Sequence, residues 1–314
     1  MACPIASTPS PSCSRSVRKP ATVARGRTSI GSKARNGRSA GPGLEGAYIG
    51  TVTIQPSLFI PHGGGPCFFM PDPHGVWTKM GDYLRALPLT LPETPKAILV
   101  ISGHWEERAF SFTGSDAHPG LIFDYYGFPP ETYRLVWTAL GAPWLAERGA
   151  ELLRDAGLQV AIVQERGFDH GVFIPLKVAF PDADVPVVQM SLHASLDPSL
   201  HLAAGRALAP LREEGVLVLG SGMSFHNLRA MGDPRVAEPS AEFDRWLAAA
   251  AESSSEERAE RLARWDTAPW ARLCHPREEH LIPLMVAAGA SGEVGIQDYR
   301  EFVLGGAVSA FRFA

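Results

Sequence analysis

Four histidines of this 314-residue chain share one setting: each sits just past an apolar, strand-like run or at a glycine-marked turn. They are His62 in PSLFIPHGGG, His104 in AILVISGHW, His170 in ERGFDHGVF and His226 in VLVLGSGMSFHN. A fifth, His280 in HPREEHLIPL, opens a helix-like apolar pattern. In open α/β folds, ligands bind at the edge to which strand ends are delivered. Imidazoles gathered on one such edge would make a transition-metal site, because neutral imidazole suits zinc, copper, iron and nickel.

Each residue also has a plainer reading. His62 precedes Gly63, Gly64 and Gly65, and alone it could be the exposed residue of a glycine turn. HGGG resembles the oxyanion loop of α/β-hydrolases, which requires a G-x-S-x-G elbow downstream. GSGMS (220–224) offers Ser221 and Ser224 but no central serine, which weakens the hydrolase reading. His104 could be a satisfied core histidine, although two histidines at the ends of separate strands favour a metal. His170 lies between Asp169 and Gly171, and a neighbouring carboxylate can fix a histidine tautomer. Around His226, Gly220 and Gly222 loosen the turn, and Asn227 could cap a helix or orient a ligand. Glu278 and Glu279 precede His280, so that loop offers an imidazole or a carboxylate. The preferred reading of the glutamates is charge at a helix start. His74, His118, His193, His201 and His275 read as surface residues, with His118 and His275 the leading exceptions. Cys67 is a thiol near the first turn with no base partner in sequence.

The elements that must carry these residues alternate after Thr51. Strand patterns are SLFI (57–60), KAILVIS (96–102), FSFT (110–113), QVAIV (159–163), VPVVQMSL (185–192), VLVLGS (216–221) and VSAFRF (308–313). Helical patterns fit 142–156, 174–180, 198–213, 239–250, 254–265 and 278–289. Continuous apolar strands interleaved with helices predict an α/β fold, a single domain whose central sheet is flanked by helices. FSFT and the terminal run could pair antiparallel, which makes the sheet mixed and leaves the metal site at the strand ends. The charge-dense stretch 252–265 reads as a solvated helix face with i,i+4 ion pairs.

Composition excludes several classes. A hydrophobic content of 45% is ample for a core, and a net charge of −4 gives a nucleic-acid partner no electrostatic support. No uninterrupted apolar stretch approaches the roughly 18 residues of a membrane span. The four cysteines, Cys3, Cys13, Cys67 and Cys274, form no CxxC pair, which argues against a disulfide framework and fits a reducing cytoplasm.

Residues 1–51 differ from the rest. Up to Glu45 they are rich in Ser, Ala, Gly and Pro, and carry arginines and lysines without an acidic residue. Such a segment reads as a disordered basic tail. An organellar transit segment, a solvated tail and an upstream stretch from a misassigned start codon all fit, and the last is slightly favoured, with the folded domain over 52–314. Deleting residues 1–45 is expected to leave folding and the histidine site intact. A truncated protein that is insoluble or cannot hold metal would make the tail part of the domain.

The segments PSLFIPHGGGP, AILVISGHWE, FDYYGFPPETY, RGFDHGVFIPL, FPDADVPVVQMSL, VLVLGSGMSFHNL and EEHLIPLMVAAGA together resemble the class III extradiol ring-cleavage dioxygenases. This is the family of the protocatechuate 4,5-dioxygenase catalytic subunit, and the likeness is greatest to its DOPA 4,5-dioxygenase-like branch. The segments arrive in the family's order and span nearly all of 52–314. The resemblance implies a nonhaem Fe(II) held by His62, His104 and His280, with histidine in the position where the protocatechuate branch has glutamate. It implies an acid/base role for His226, which in some zinc-bound relatives stands close enough to count as a fourth ligand, and a second active-site histidine in His170. Zn(II) can occupy the same imidazoles. HGGGP departs from the HGSP common in the branch and changes the pocket wall beside the metal without removing a ligand.

The implied reaction cleaves a catecholic ring with O2 to a semialdehyde, and both oxygen atoms enter the product. Its partners are a small-molecule catechol and O2, with neither nucleic acid nor membrane, and a homodimer would be compatible with the family. Phe68, Phe69, Tyr125, Tyr126 and Phe128 could wall the pocket or simply pack. A zinc-dependent hydrolase and a non-catalytic metal-binding protein on the same fold are the rival readings.

Overall fold

The computed structural model describes residues 53–114 and 119–314. The tail over 1–51 and His118 lie outside the described residues.

The strands are β1 (Ser57–Pro61), β2 (Ala97–Glu107), β3 (Phe110–Thr113), β4 (Val160–Val163), β5 (Val187–His193), β6 (Val216–Gly222), β7 (Gly295–Val303) and β8 (Gly306–Phe313). They form one eight-stranded sheet in the order β4-β3-β5-β2-β6-β1-β8-β7. The helices are α1 (Thr78–Ala86), α2 (Pro143–Asp155), α3 (His170–Ala179), α4 (Pro198–Leu208), α5 (Pro210–Glu213), α6 (Ala237–Ala251), α7 (Ser255–Ala263), α8 (Ala271–Cys274) and α9 (Ile282–Gly289). The sheet is mixed. Strands β5, β2, β6 and β1 run parallel, β3 runs antiparallel to β5, and β8 runs antiparallel to both β1 and β7.

The central strands read as unbroken apolar runs because both faces are covered. Phe59, Leu99, Ile101 and Val218 enter one core, while Leu58, Ile60, Ile98, Val100, Leu217 and Leu219 enter the other. The ends of β1, β2 and β6 then open at one edge of the sheet.

Several boundaries differ from the sequence expectation. Strand β2 continues through GHWEE to Glu107, so His104 stands inside the strand rather than past it. Helix α3 begins at His170 instead of 174, with Pro175 inside it. The run 198–213 divides into α4 and α5, with Pro210 starting the second piece, because proline cannot donate the helical hydrogen bond. Helix α9 starts only at Ile282. Helix α1 and strand β7 lacked a clear signal. Strand β7 is an edge strand with Ile296 and Phe302 about half exposed, so it shows no buried run.

His201, expected at the surface, is fully buried: its Nε2 accepts from the His193 backbone N–H at 3.0 Å and its Nδ1 donates to the Asp197 carbonyl at 2.6 Å. His275 is also fully buried. The 255–263 helix carries the expected Glu257–Arg261 pair at i,i+4, but Arg258 turns inward and donates to the carbonyls of Ala288, Ser291 and Glu293.

Candidate metal centre

Three imidazoles from three different segments converge. His62 follows β1, His104 lies near the end of β2, and His280 stands in the turn before α9. His104 Nε2 is 3.3 Å from His62 Nε2 and 3.2 Å from His280 Nε2. An ion about 2.0–2.1 Å from each nitrogen would separate neighbouring nitrogens by about 3.0 Å on an octahedral face and about 3.4 Å on a tetrahedral one. The observed spacings fall between these values, so the donor set fits a single transition metal.

The other side of each ring explains the convergence. His62 Nδ1 donates to the Gly63 carbonyl at 2.9 Å, and His280 Nδ1 donates to Glu279 Oε1 at 2.9 Å. Because those oxygens only accept, the proton sits on Nδ1 and the Nε2 lone pair faces inward. His104 Nδ1 faces Asp124 Oδ2 at 3.6 Å, within ion-pair range. Burial, reinforced by the neighbouring imidazoles, holds His62, His104 and His280 well below the ordinary histidine pKa. The rings are therefore neutral near pH 7, the form that coordinates a metal.

His280 has no strand to place it, and two glycines take over that task. A Cβ on Gly103 would stand 2.9 Å from the Glu279 carbonyl oxygen, and one on Gly222 would overlap the His280 carbonyl. The Met223 N–H donates to that carbonyl at 3.0 Å. Gly222 was expected to loosen a turn; it instead admits the backbone that carries a candidate ligand.

His226 and His170 flank the trio. The His226 ring stacks on His280 at 3.5 Å with an interplanar angle of 18°, and its Nδ1 lies 3.3 Å from Glu279 Oε1. Its loop is clamped to α8: His226 N–H donates to the Cys274 carbonyl at 3.0 Å, and the Asn227 side-chain amide donates to the Leu273 carbonyl at 2.7 Å. Buried His275 donates from Nε2 to the Ser224 carbonyl at 2.9 Å, holding the same loop. The His170 ring centre is 4.0 Å from that of His104, and its Nδ1 donates to Asp124 Oδ1 at 2.8 Å. All five histidines singled out in the sequence thus meet at one edge of the sheet.

Two carboxylates were missed or misread. Asp124 lies in a loop with no periodic signal, 46 residues from the histidine it bonds. Burial works against its ionisation, but the ring and backbone N–H of His170 outweigh that and hold its pKa below the usual range. Glu279 is not helix-start charge: it lies ahead of α9, turns inward and is shared by two imidazoles. Burial again opposes ionisation, yet His226, its own backbone N–H and Arg277 keep its pKa low. Glu278 bonds Arg272 at 2.6 Å, away from the trio.

Beneath His104, its backbone N–H donates to Ser102 Oγ at 3.2 Å, and Ser102 Oγ donates to Asp169 Oδ1 at 2.8 Å. Asp169 is fully buried and also accepts from Gln189 and Arg166, so its side chain supports β2 rather than fixing His170. Tyr125 packs edge-on to His170 at 5.7 Å and to Phe128 at 5.5 Å, forming part of the wall. Phe128 lies against Gly65, whose φ of +53° suits glycine. Tyr126 is 91% exposed and forms no wall in this conformation.

The serine readings fail on position. Ser221 is buried on β6 and donates to the Gly171 carbonyl, while Ser224 Oγ accepts from the Ser309 N–H at 2.7 Å. Burial pushes the Cys67 thiol up to about 12, so it supplies no thiolate near neutrality.

A mixed α/β sheet with convergent imidazoles at its strand ends is the architecture of a metal-dependent enzyme. Residues 57–312 match the family described as the catalytic LigB subunit of aromatic ring-opening dioxygenase, and the chain belongs to that family. It is an extradiol ring-cleavage dioxygenase. It is 40% identical over 260 residues to "Dioxygenase tasH" of Hapsidospora irregularis, covering 76% of this chain and 79% of that one. It is 42% identical over 250 residues to a "4,5-DOPA dioxygenase extradiol" of Portulaca grandiflora, covering 77% and 88%. A protein of the same name from Beta vulgaris is 43% identical over 205 residues, covering 63% and 74%. An uncharacterized protein of Escherichia coli K12, known by its crystal structure, superposes with a TM-score of 0.67 at 28% identity, covering 83% of this chain and all of that one. No helix among the described residues is long and apolar enough to cross a membrane.

Proposed function

We infer that residues 52–314 form a catalytic domain in which His62, His104 and His280 hold Fe(II), and that the substrate is a catechol. The convergence of three inward-facing Nε2 atoms at 3.2–3.3 Å carries this reading. When bound, Fe(II) on a three-residue face supplies open positions for a catecholate and O2. An all-imidazole face leaves the ion one charge more positive than two histidines and a carboxylate would, which favours an anionic catecholate. Zn(II) fits the same nitrogens, so a zinc-loaded form can be isolated without being the active one.

The chain's own residues then handle protons. Protons must leave the catechol and reach the ring-opening intermediate, work suited to an imidazole, which can both accept and donate a proton. His226 takes this role, assisted by His170. Each has Nδ1 turned to a carboxylate, which leaves Nε2 for the substrate. A cavity of about 470 Å³ lined by His226, Asn227, Leu228, Arg229, Pro276, Arg277 and Glu279 adjoins the centre and receives the ring substituent. Arg277 is engaged by Glu106 through two contacts of 2.6 Å. Exposed Arg229 is the cation left to meet an anionic substituent. The relatives named for DOPA bring that catechol first among candidates, ahead of caffeate, protocatechuate and larger phenolics. The cytoplasm is the proposed compartment, and a homodimer the assembly considered first.

The test is anaerobic reconstitution with Fe(II) or Zn(II), followed by oxygen-consumption measurements on a catechol panel. Uptake with Fe(II) and none with Zn(II) is expected. Catechol-independent hydrolysis by the zinc form would instead support the hydrolase reading.

A further inference from the structure

We propose that Asp124 and Glu279 are paired positioning residues, each tying one metal-side imidazole to one substrate-side imidazole, with their labour divided. The proposal rests on the metal and acid/base roles inferred above. Glu279 Oε1 accepts from His280 Nδ1 at 2.9 Å and faces His226 Nδ1 at 3.3 Å. Asp124 Oδ1 accepts from His170 Nδ1 at 2.8 Å, while its Oδ2 faces His104 Nδ1 at 3.6 Å. His62 alone is held by an uncharged group, the Gly63 carbonyl. Two carboxylates therefore stand just behind a face that contains none.

The distances divide the labour. Glu279 bonds the metal-side ring more closely than the substrate-side ring, and Asp124 does the reverse. Glu279 thus mainly fixes the tautomer and aim of His280. Asp124 mainly fixes His170, and it anchors that residue twice, because Oδ1 also accepts the His170 backbone N–H at 3.0 Å. That second bond satisfies an amide at the start of α3, where the Asp169 side chain is committed to Ser102, Gln189 and Arg166. The arrangement orients both histidine classes from outside the cavity and leaves every Nε2 free to face inward.

The test compares Glu279→Gln and Asp124→Asn in the full chain, using chelator competition for metal affinity and steady-state kinetics at saturating metal. Losing a carboxylate behind a ligand histidine costs about 10–100-fold in metal affinity, so Glu279→Gln is expected to weaken binding by that factor and Asp124→Asn by less than about threefold. At saturating metal, Asp124→Asn is expected to lower kcat by about tenfold or more while KM for the catechol moves by less than about threefold. A merely structural aspartate would lower the melting temperature without that split. Unchanged metal affinity in Glu279→Gln, or wild-type kcat in Asp124→Asn, overturns the proposal. Should an amide variant fail to fold, Glu279→Asp and Asp124→Glu keep the charge, displace the oxygens by one methylene and carry the same expectations. His104→Ala, run alongside, separates the two levels. If it still binds metal the site assignment has failed, and if it does not, the carboxylate results bear on the pairing alone.

Discussion

Replacing His62, His104 or His280 with alanine is expected to empty the metal site and abolish ring cleavage, whereas Glu278→Ala keeps both. On the proposed assignment each imidazole supplies one corner of a three-nitrogen face, and the two neighbours nearest to His280 are held by contacts of their own. His226 is stacked on His280 and its loop is clamped to α8, while Glu279 is shared between two rings. Glu278 is engaged with Arg272 and faces away. Elemental analysis after anaerobic loading and desalting decides the matter. A Glu279→Ala protein empty of metal, together with a His280→Ala protein that retains it, would reverse the assignment within that loop.

The second large effect concerns His226. His226→Phe is expected to hold Fe(II) and still bind a catechol, but to turn over at least about a hundredfold more slowly, or about 2.7 kcal/mol of lost transition-state stabilisation. The phenyl ring can keep the stacking on His280, so the change removes the proton-handling nitrogens with little loss of packing. Spectroscopic titration with a catechol under argon, followed by admission of oxygen, reads both halves. Loss of iron would make His226 a fourth ligand, and undiminished turnover would move the acid/base role to His170.

The parts of this centre legible in sequence share a physical cause. Strands buried on both faces must be continuously apolar, so β1, β2 and β6 announced themselves, and a histidine at the end of such a run stands out. His280 stood out in sequence only as the start of an apolar pattern, and its choice over the neighbouring glutamates came from the family segment, since its position depends on Gly103 and Gly222 admitting a distant backbone. Nothing in local pattern distinguishes a glycine that loosens a turn from one that makes room for another chain segment. Asp124 was invisible for a related reason. Its loop has no period, and its importance arises from a partner brought near by the sheet. His201 was misread because its burial is set by distant partners: α4 packs on α9, α7 and α2, and the His201 ring accepts the His193 backbone N–H at the end of β5. The half-exposed edge strand β7 has too few buried positions to be seen as a strand.

The central claim is that three imidazoles, and no carboxylate, hold the metal. Crystals of the Fe(II)-loaded chain grown anaerobically would test it most directly, through an anomalous difference map recorded across the iron edge. The account predicts one peak per chain within about 2.2 Å of the Nε2 atoms of His62, His104 and His280, with Glu279 bonded to His280 from behind. A peak coordinated by Glu279, or one lying between Asp124 and His170, would contradict it.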